Sequence, residues 1–530
     1  MEEKLSKVLI SDKLSESAVD IFKKLNIDVD YRPGISSSEL LNIIHEYDGL
    51  AIRSATKVTQ EVFENAINLK IVGRAGIGTD NIDKNAATKS GVIVMNTPYG
   101  NAVTTAEHTI ALLMSLVRMI PRADASTRKG KWEKSKFNGM EITGKTFGLI
   151  GCGNIGSIVA DRALGLKMKV IAFDPFLTPE RAKELGVIKV ELNILLKKSD
   201  IVSLHTPLTE DTKNIISADA ISKMKKGARI INCARGGLVD EIACRAALET
   251  GHLAGAAFDV FVEEPAKSNI LFDAPNLIAT PHLGSATIEA QENVAIQIAQ
   301  QMSDFLNTGA VTNAINFPNV SSEEAPILKP YIRLAYLLGS FIGQVTQDGI
   351  SSVKLELEGK ASSIKDAPLL ASSLLGILEP TSATVNNINS SAIASSRGIN
   401  LSTIKHERRC DYETLLKLSI KHDKGERTIS GTLIAGNMPR IINIQGIPIE
   451  SDFPKTALYL RNHDRPGFIG DLGNTLGKNS INIASFHLGR RDIGDEAIAL
   501  VEVDGGIDEK IVKEIKSLPQ VARVNVINFD

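Results

Sequence analysis

Three side chains with complementary chemistry stand just past short apolar runs in the middle of the chain: Arg235 in INCARGGLVDE, Glu264 in DVFVEEP and His282 in ATPHLGSA. A guanidinium holds a carboxylate through two parallel hydrogen bonds. A neutral imidazole can take a hydroxyl proton, and a carboxylate beside it orients the ring and stabilises the imidazolium that forms. These groups suffice to oxidise a 2-hydroxy acid, provided that something accepts the hydride. On chemistry alone Glu263 serves His282 as well as Glu264 does. Taken singly, each residue also has an ordinary structural reading, as a paired surface arginine or acid or a structural histidine.

The segment TFGLIGCGNIG supplies a place for the hydride acceptor. Residues 146–150 read as a buried parallel strand; Gly151 permits a tight turn, Gly153 lets the backbone approach a pyrophosphate, and Gly156 lets a helix pack close to the strand. The anion then sits on the helix N-terminus, where unpaired N–H groups and the dipole favour negative charge. A second run, 169–173, ends at Asp174. An acid there accepts hydrogen bonds from the ribose hydroxyls and repels a 2′-phosphate, so NAD is favoured over NADP.

These groups need a scaffold, and the 530 residues, 43% of them hydrophobic, are enough for three or four domains. The glycine turn lies far into the chain, so the segment before it must fold separately and face the cofactor. Apolar runs at 7–10, 49–52, 70–73 and 92–95 alternate with helical patterns, the rhythm of a parallel sheet. Residues 96–100, NTPYG, break that rhythm and mark a hinge. Strand-like runs then recur at 201–205, 229–232, 255–259 and 277–280, and an amphipathic helix over 288–307 is expected to return to the first lobe. The expected fold is α/β, with a Rossmann-type doubly wound nucleotide domain (99–284) inserted in a flavodoxin-like substrate lobe (1–98 and 285–318). After a polar linker at 319–326, an α+β intervening domain (319–452) follows; its Ser/Asn-rich stretch 382–400 reads as a loop or polar strand surface. Residues 453–530 have the βαββαβ order of a ferredoxin-like unit.

Composition narrows the class of function. A net charge of −2, from 60 basic and 62 acidic residues, provides no general field for nucleic acid. Cys152, Cys233, Cys244 and Cys410 have no metal-ligand spacing, and the nine histidines include no His-x-x-x-His pair, so no metal is expected and the thiols suit a reducing cytoplasm. The N-terminus is unlike a secretory or transit peptide, and the most apolar stretch, 109–120, is short and contains Arg118. A cytoplasmic protein with no membrane partner is expected.

GLIGCGNIG, HTPLT, NCARGGLVDE, AFDVFVEEP and TPHLG, in this order, resemble the D-isomer-specific 2-hydroxyacid dehydrogenase family, and its phosphoglycerate dehydrogenase branch in particular. The resemblance implies a catalytic set of Arg235, Glu264 and His282, and cofactor contacts at Asn154, Ile155, Asp174, Thr206, Cys233, Ala234 and Asp259. It also implies 3-phosphoglycerate as substrate, oxidised with NAD to 3-phosphohydroxypyruvate as the entry to serine synthesis. Arg53 and Arg74, each just past a strand end, then hold its carboxylate and phosphate. Ser285 followed by Ala286 departs from the family's usual Ala then Ser.

The segment LYLRNHDRPGFIGDLGNTLGKNSINIASFHLGRR is similar to an ACT domain, an amino-acid-sensing module that usually binds its effector between two subunits. Asn462, Asp464 and Asn482 are the matching polar groups, with Asp464 for an ammonium and the amides for a carboxylate or hydroxyl. L-serine is the effector to test, and a homo-oligomer, dimer or tetramer, is implied. His463 adjoins Asp464, where the family often has a histidine two places before the acid. Two other readings stay open: a glyoxylate or hydroxypyruvate reductase on the same scaffold, and a non-enzymatic NAD-sensing scaffold. Activity on phosphorylated against unphosphorylated acids separates the first, and absence of any NADH signal would favour the second.

Overall fold

The computed structural model describes residues 5–382, 384–407 and 411–529; Cys410 lies outside them. The first sheet contains β1 (Lys7–Ile10), β2 (Asp28–Tyr31), β3 (Gly49–Ile52), β4 (Ile71–Arg74) and β5 (Ile93–Asn96), all parallel, in the order β2-β1-β3-β4-β5. Every residue of β3 is buried, as helices covering both faces of a parallel sheet require. The edge strand β2, DVDY, carries no apolar run and was not legible in the sequence. The helix Ile288–Thr308 returns to this sheet, burying Val294, Ala295, Ile298 and Met302 with Val8, Ile10, Ala18 and Phe22. Thr287 caps its start by accepting from Ala290 N–H, and Gly309 ends it in the left-handed region.

The second sheet contains β6 (Thr146–Ile150), β7 (Lys169–Phe173), β8 (Ile188–Lys189), β9 (Ile201–Leu204), β10 (Ala228–Asn232), β11 (Leu253–Phe258) and β12 (Leu277–Ala279). All are parallel, in the order β12-β11-β10-β9-β6-β7-β8, so the winding reverses between β6 and β9, where ligands of open α/β sheets bind. The helix Ala102–Val117 packs Leu112, Leu113 and Leu116 against Phe147, Leu149 and Ile231. It bends by 61° into Ile120–Arg128, and among the described residues no single helix is long and apolar enough to cross a membrane.

The third sheet, β13 (Ile350–Gly359), β14 (Asn400–His406), β15 (Thr414–His422), β16 (Gly425–Ile434), β17 (Met438–Ile444) and β18 (Ile447–Ser451), is antiparallel except for the β13–β14 pair. The helices Glu324–Val345 and Asp366–Leu378 accompany it. Two expectations need correction here. The linker is shorter than 319–326, because Ser321 and Glu324 exchange side-chain-to-backbone hydrogen bonds of 2.9 and 3.2 Å and start the helix early. The stretch 382–400 is not a loop throughout: Asn386 and Asn389 bond each other and lead into the helix Ser390–Ser396, and Asn389 also donates to Lys89 C=O of the first lobe at 3.0 Å.

The last sheet, β19 (Thr456–His463), β20 (Asn482–Arg490), β21 (Glu496–Asp504) and β22 (Val521–Asn528), is fully antiparallel in the order β20-β21-β19-β22, the ferredoxin-like arrangement. One face packs on its own helices through Leu458, Leu460, Leu472 and Leu476. The other face presses Tyr459, Ile498 and Ile527 into the core of the third domain, with the Tyr459 ring edge-on to Phe341 at 5.2 Å.

Candidate active site

The catalytic candidates meet because three neighbouring strands end on the same side of the second sheet. Arg235 lies three residues beyond β10, Glu264 lies in the loop after β11, and His282 lies three residues beyond β12. His282 Nδ1 is 2.6 Å from Glu264 Oε2, and Glu264 Oε1 accepts from Phe261 N–H at 3.1 Å. Glu263 makes neither contact, so the geometry chooses Glu264. Burial opposes its charge, but the bonds from His282 and Phe261 prevail and hold its carboxyl below the usual range. The hydrogen bond to Glu264 raises the His282 pKa against burial. With Nδ1–H donating to Glu264, Nε2 has no partner among the described residues and can accept a proton.

The backbone around His282 is strained, at φ +54, a conformation costly for a residue with a Cβ. Asp259 pays for it. Fully buried, it accepts from Leu283 N–H at 2.7 Å, Gly284 N–H at 2.8 Å and Thr280 Oγ1 at 2.6 Å, and its C=O accepts from His282 N–H at 2.8 Å. His108 Nε2 lies 3.3 Å from the same carboxylate. Expected as a cofactor contact, Asp259 thus spends its oxygens on the loop that carries His282. Burial opposes its charge, but His108, Thr280 and Leu283 more than offset it and keep its carboxyl ionised below the usual range. Glu241 does similar work for the Glu264 loop, accepting from Val262 N–H at 3.0 Å and Asn269 Nδ2 at 2.8 Å.

Arg235 reaches out of the second domain to the first lobe, where its Nε donates to Asp80 at 3.1 Å. There it joins Arg53 and Arg74 of that lobe. Arg74 is half-buried, and its pKa is pushed down to about 10 by burial and by Arg235, with Asp80 opposing and Arg53 adding a smaller repulsion; it remains charged at neutral pH. Asn81 ties the two loops together, accepting from Arg74 Nε at 2.9 Å and donating to Arg53 C=O at 2.7 Å and Thr56 C=O at 2.6 Å. Asp12 braces the same loop by accepting from Arg53 N–H at 2.6 Å and Thr56 Oγ1 at 2.7 Å. Glu241 lies inside a motif already quoted and was within reach of sequence reasoning, and Asp80 and Asn81 follow Arg74 by only a few residues. Asp12 and His108 carried no signal, since only folding brings them to the site.

The nucleotide turn fits the cofactor it was read for. Gly151, at φ +92, lies so close to β9 that a Cβ would fall 2.6 Å from His205 C=O, and one on Gly156 would fall 2.3 Å from Gly151 C=O. A Cβ on Gly153, at the N-cap of the helix Asn154–Gly165, would meet nothing within 4 Å. The crowded glycines seat helix on strand, and the open one leaves its surface to a ligand. Asn154 and Ile155 form the first turn of that helix. Asp174 already accepts from Cys152 N–H and Phe176 N–H, both at 2.8 Å, which fixes it beside the turn. Thr206 Oγ1 is buried without a hydrogen-bond partner among the described residues, as a group waiting for a ligand would be. Asn232 takes Ala234 N–H at 3.1 Å and donates to Arg235 C=O, holding the 233–235 turn. Cys233 is buried, its thiol pushed up to about 12 mainly by burial, so it is no nucleophile. No group of metal-ligating side chains occurs among the described residues.

The effector residues are not gathered. Asn462 pairs with Ala497 at one end of β21, while Asn482 pairs with Asp504 at the other, about 24 Å away along the strand. Asp464 is held by Arg490 at 2.9 Å and Gly494 N–H at 3.2 Å, and Asn482 donates to Asp504 at 2.6 Å. Asn462 is on the strand rather than in the turn, and its Oδ1 is buried without a partner among the described residues. Within one chain these three do not form a pocket.

A doubly wound domain whose strand ends carry a His–Glu pair and an arginine, facing a lobe that carries two more, defines a two-lobed nicotinamide-dependent 2-hydroxyacid dehydrogenase. The family model of the D-isomer specific 2-hydroxyacid dehydrogenase NAD binding domain matches residues 110–284, that of the D-3-phosphoglycerate dehydrogenase intervening domain matches 327–445, and the ACT domain matches 456–520. The chain is 41% identical to the D-3-phosphoglycerate dehydrogenase of Bacillus subtilis, over 99% of both chains. It is 40% identical to that of Methanocaldococcus jannaschii, over 99% of this chain and all of the other. This chain belongs to the D-3-phosphoglycerate dehydrogenase family. Among solved structures, D-lactate dehydrogenase from Aquifex aeolicus complexed with NAD and lactic acid is similar with a TM-score of 0.53 and 28% identity, over 59% of this chain and 100% of that one.

Proposed function

We propose that this chain oxidises 3-phospho-D-glycerate to 3-phosphohydroxypyruvate with NAD, the first step of L-serine biosynthesis. The observation that carries this reading is the His282–Glu264 pair at 2.6 Å in a cleft that also holds Arg235, Arg74 and Arg53. His282 Nε2 takes the proton of the C2 hydroxyl, and Glu264 stabilises the imidazolium. Arg235 gives up Asp80 for the substrate carboxylate through its two-pronged guanidinium. Arg53 and Arg74 take the phosphate, and Arg74, already desolvated, loses little by binding a dianion there. The chemistry that bound NAD supplies is acceptance of the hydride, and Gly153, Asp174 and Thr206 are the groups that would hold it. Closure of the lobes excludes water from the reacting carbon.

The full-length family match and the C-terminal domain support a regulated homo-oligomer, a dimer or tetramer with L-serine as effector. Because Asn462 and Asn482 lie opposite the two ends of β21, an effector site using both draws them from two subunits. NADH formation from 3-phosphoglycerate, compared with glycerate and lactate, tests the substrate assignment. Arg74→Gln is expected to raise KM for 3-phosphoglycerate by about 10- to 100-fold, the loss of a charge-assisted pair, and to leave kcat/KM on unphosphorylated acids nearly unchanged. Equal losses on both classes of acid would remove the phosphate from the assignment.

A further inference from the structure

The helix Ala102–Val117 buries a stripe of side chains at three- and four-residue spacing, the pattern of a helix packed on a sheet. Its second half fills that stripe with Leu112, Leu113, Leu116 and Val117. Its first half does not: Thr105 and Thr109 are buried there, with the half-buried His108 beside them. Polar groups are unfavourable inside a domain unless they find partners, and these find them in three different loops. Thr109 meets the Cys233 thiol, in the loop that carries Arg235. His108 Nε2 lies 3.3 Å from Asp259 Oδ1 and from Thr280 Oγ1, between the ends of β11 and β12. Thr105 Oγ1 donates to Gly284 C=O at 2.9 Å, in the loop that carries His282, and lies 3.0 Å from Asn101 C=O at its own helix start. Gly284 is pressed between helix and acid, since a Cβ there would fall 3.2 Å from Asp259 Oδ2 and 3.4 Å from Thr105 Cγ2.

Of these contacts, the one from His108 bears most directly on the base. Asp259 has four hydrogen-bonding neighbours at its carboxylate among the described residues, and three of them, Thr280 and the N–H groups of Leu283 and Gly284, belong to the segment it braces. His108 alone comes from another element, and it ties acid and loop as one unit to a rigid helix. It also governs charge. Glu264 raises the proton affinity of His282 and burial opposes it; Asp259 adds to Glu264 while Arg235 counters both. Glu264 and the Cys233 thiol are the other titratable groups facing Asp259. A donor on the Asp259 carboxylate weakens the negative field that reaches His282.

We propose that His108 is a positioning residue for this reaction: from the helix Ala102–Val117 it holds Asp259, and through Asp259 the strained loop, at the geometry that lets His282 Nε2 reach the substrate hydroxyl. Thr105 secures the far end of the same loop through Gly284. His108 acts through Asp259 and not on the reacting atoms. The assignment rests on His282 as the base of the proposed oxidation.

The test is NADH formation from 3-phosphoglycerate across the pH range in full-length His108→Leu and His108→Gln. Leucine fills the space without a donor, and glutamine puts an amide N–H near the place of Nε2. His108→Leu is expected to lower kcat by about 10- to 100-fold, the worth of a hydrogen bond to a charged group, with KM within about threefold. Its acid limb of kcat/KM should move up by about half a pH unit or more, because oxidation needs neutral His282 and a less compensated Asp259 favours the protonated form. His108→Gln should restore most of both. A merely structural histidine would leave the limb in place. A wild-type limb in His108→Leu, wild-type turnover, or equal losses in both variants would therefore overturn the proposal. His282→Ala in the same assay separates the two readings: normal turnover there removes the base, whereas an inactive His282→Ala beside a normal His108→Leu removes only His108. If His108→Leu does not fold, His108→Asn, polar but too short to reach Asp259, takes its place.

Discussion

The catalytic cleft and the C-terminal domain were both marked in the sequence by three polar residues with complementary chemistry, yet one chain assembles only the first set. Arg235, Glu264 and His282 follow adjacent parallel strands, and such strands all deliver their following loops to the same edge. Asn462 lies near the end of β19 and Asn482 at the start of β20; these strands flank β21 and run the same way, so their partners on β21 are at its two ends. Strands that run the same way gather residues that all follow their C-terminal ends, while a residue at the end of one strand and a residue at the start of the next are parted though only twenty positions from each other. The cleft candidates therefore meet within one chain, whereas the proposed effector site, which uses both amides, draws on a second copy.

The largest effect expected from this contrast is at His282. His282→Ala should lower kcat by about 10²- to 10⁴-fold with NAD affinity unchanged, measured by steady-state NADH formation and by nucleotide titration. Near-normal turnover would break the claim that the cleft is self-sufficient. Glu264→Gln should cost about tenfold in kcat, the worth of one hydrogen bond in the transition state, and should also move the pH profile. Oxidation needs neutral His282, and its bond to Glu264 raises its pKa, so the acid limb of kcat/KM lies above the ordinary imidazole range in wild type. Without the carboxylate, burial dominates and the limb should move to lower pH; an upward move would refute the pairing.

The smallest effect sharpens the other side of the comparison. Asp464→Ala and Asn482→Ala should each abolish serine inhibition while leaving basal kcat within about twofold. Hybrid dimers of the two variants should regain inhibition at one of their two sites, because each intact site takes Asp464 from one copy and Asn482 from the other. Hybrids that stay insensitive would confine the effector, if any, to single chains.

Much of the cleft was legible because its chemistry is concentrated in loops with diagnostic spacing. The glycine turn, Asp174 and the strand-end triad all appear where their motifs put them. What escaped were the braces. Asp12 and His108 lie far along the chain from the loops they hold, and nothing in their local pattern distinguishes them from solvent-facing residues. The polar strand β2 and the helix Ser390–Ser396 escaped for a related reason: both lack the apolar periodicity that sequence reading depends on, and both are held by neighbours rather than by propensity.

The sequence by itself determined the order of the apolar elements, the place of the nucleotide turn and the candidates for the reacting groups, because periodicity and short motifs are local properties. Tertiary structure decided between Glu263 and Glu264, turned Asp259 into a brace for a strained histidine loop, and set Arg235 against the opposite lobe. Those outcomes depend on distances between segments remote in the chain, which are set by how sheets stack and which edge a loop leaves, and no local pattern records them.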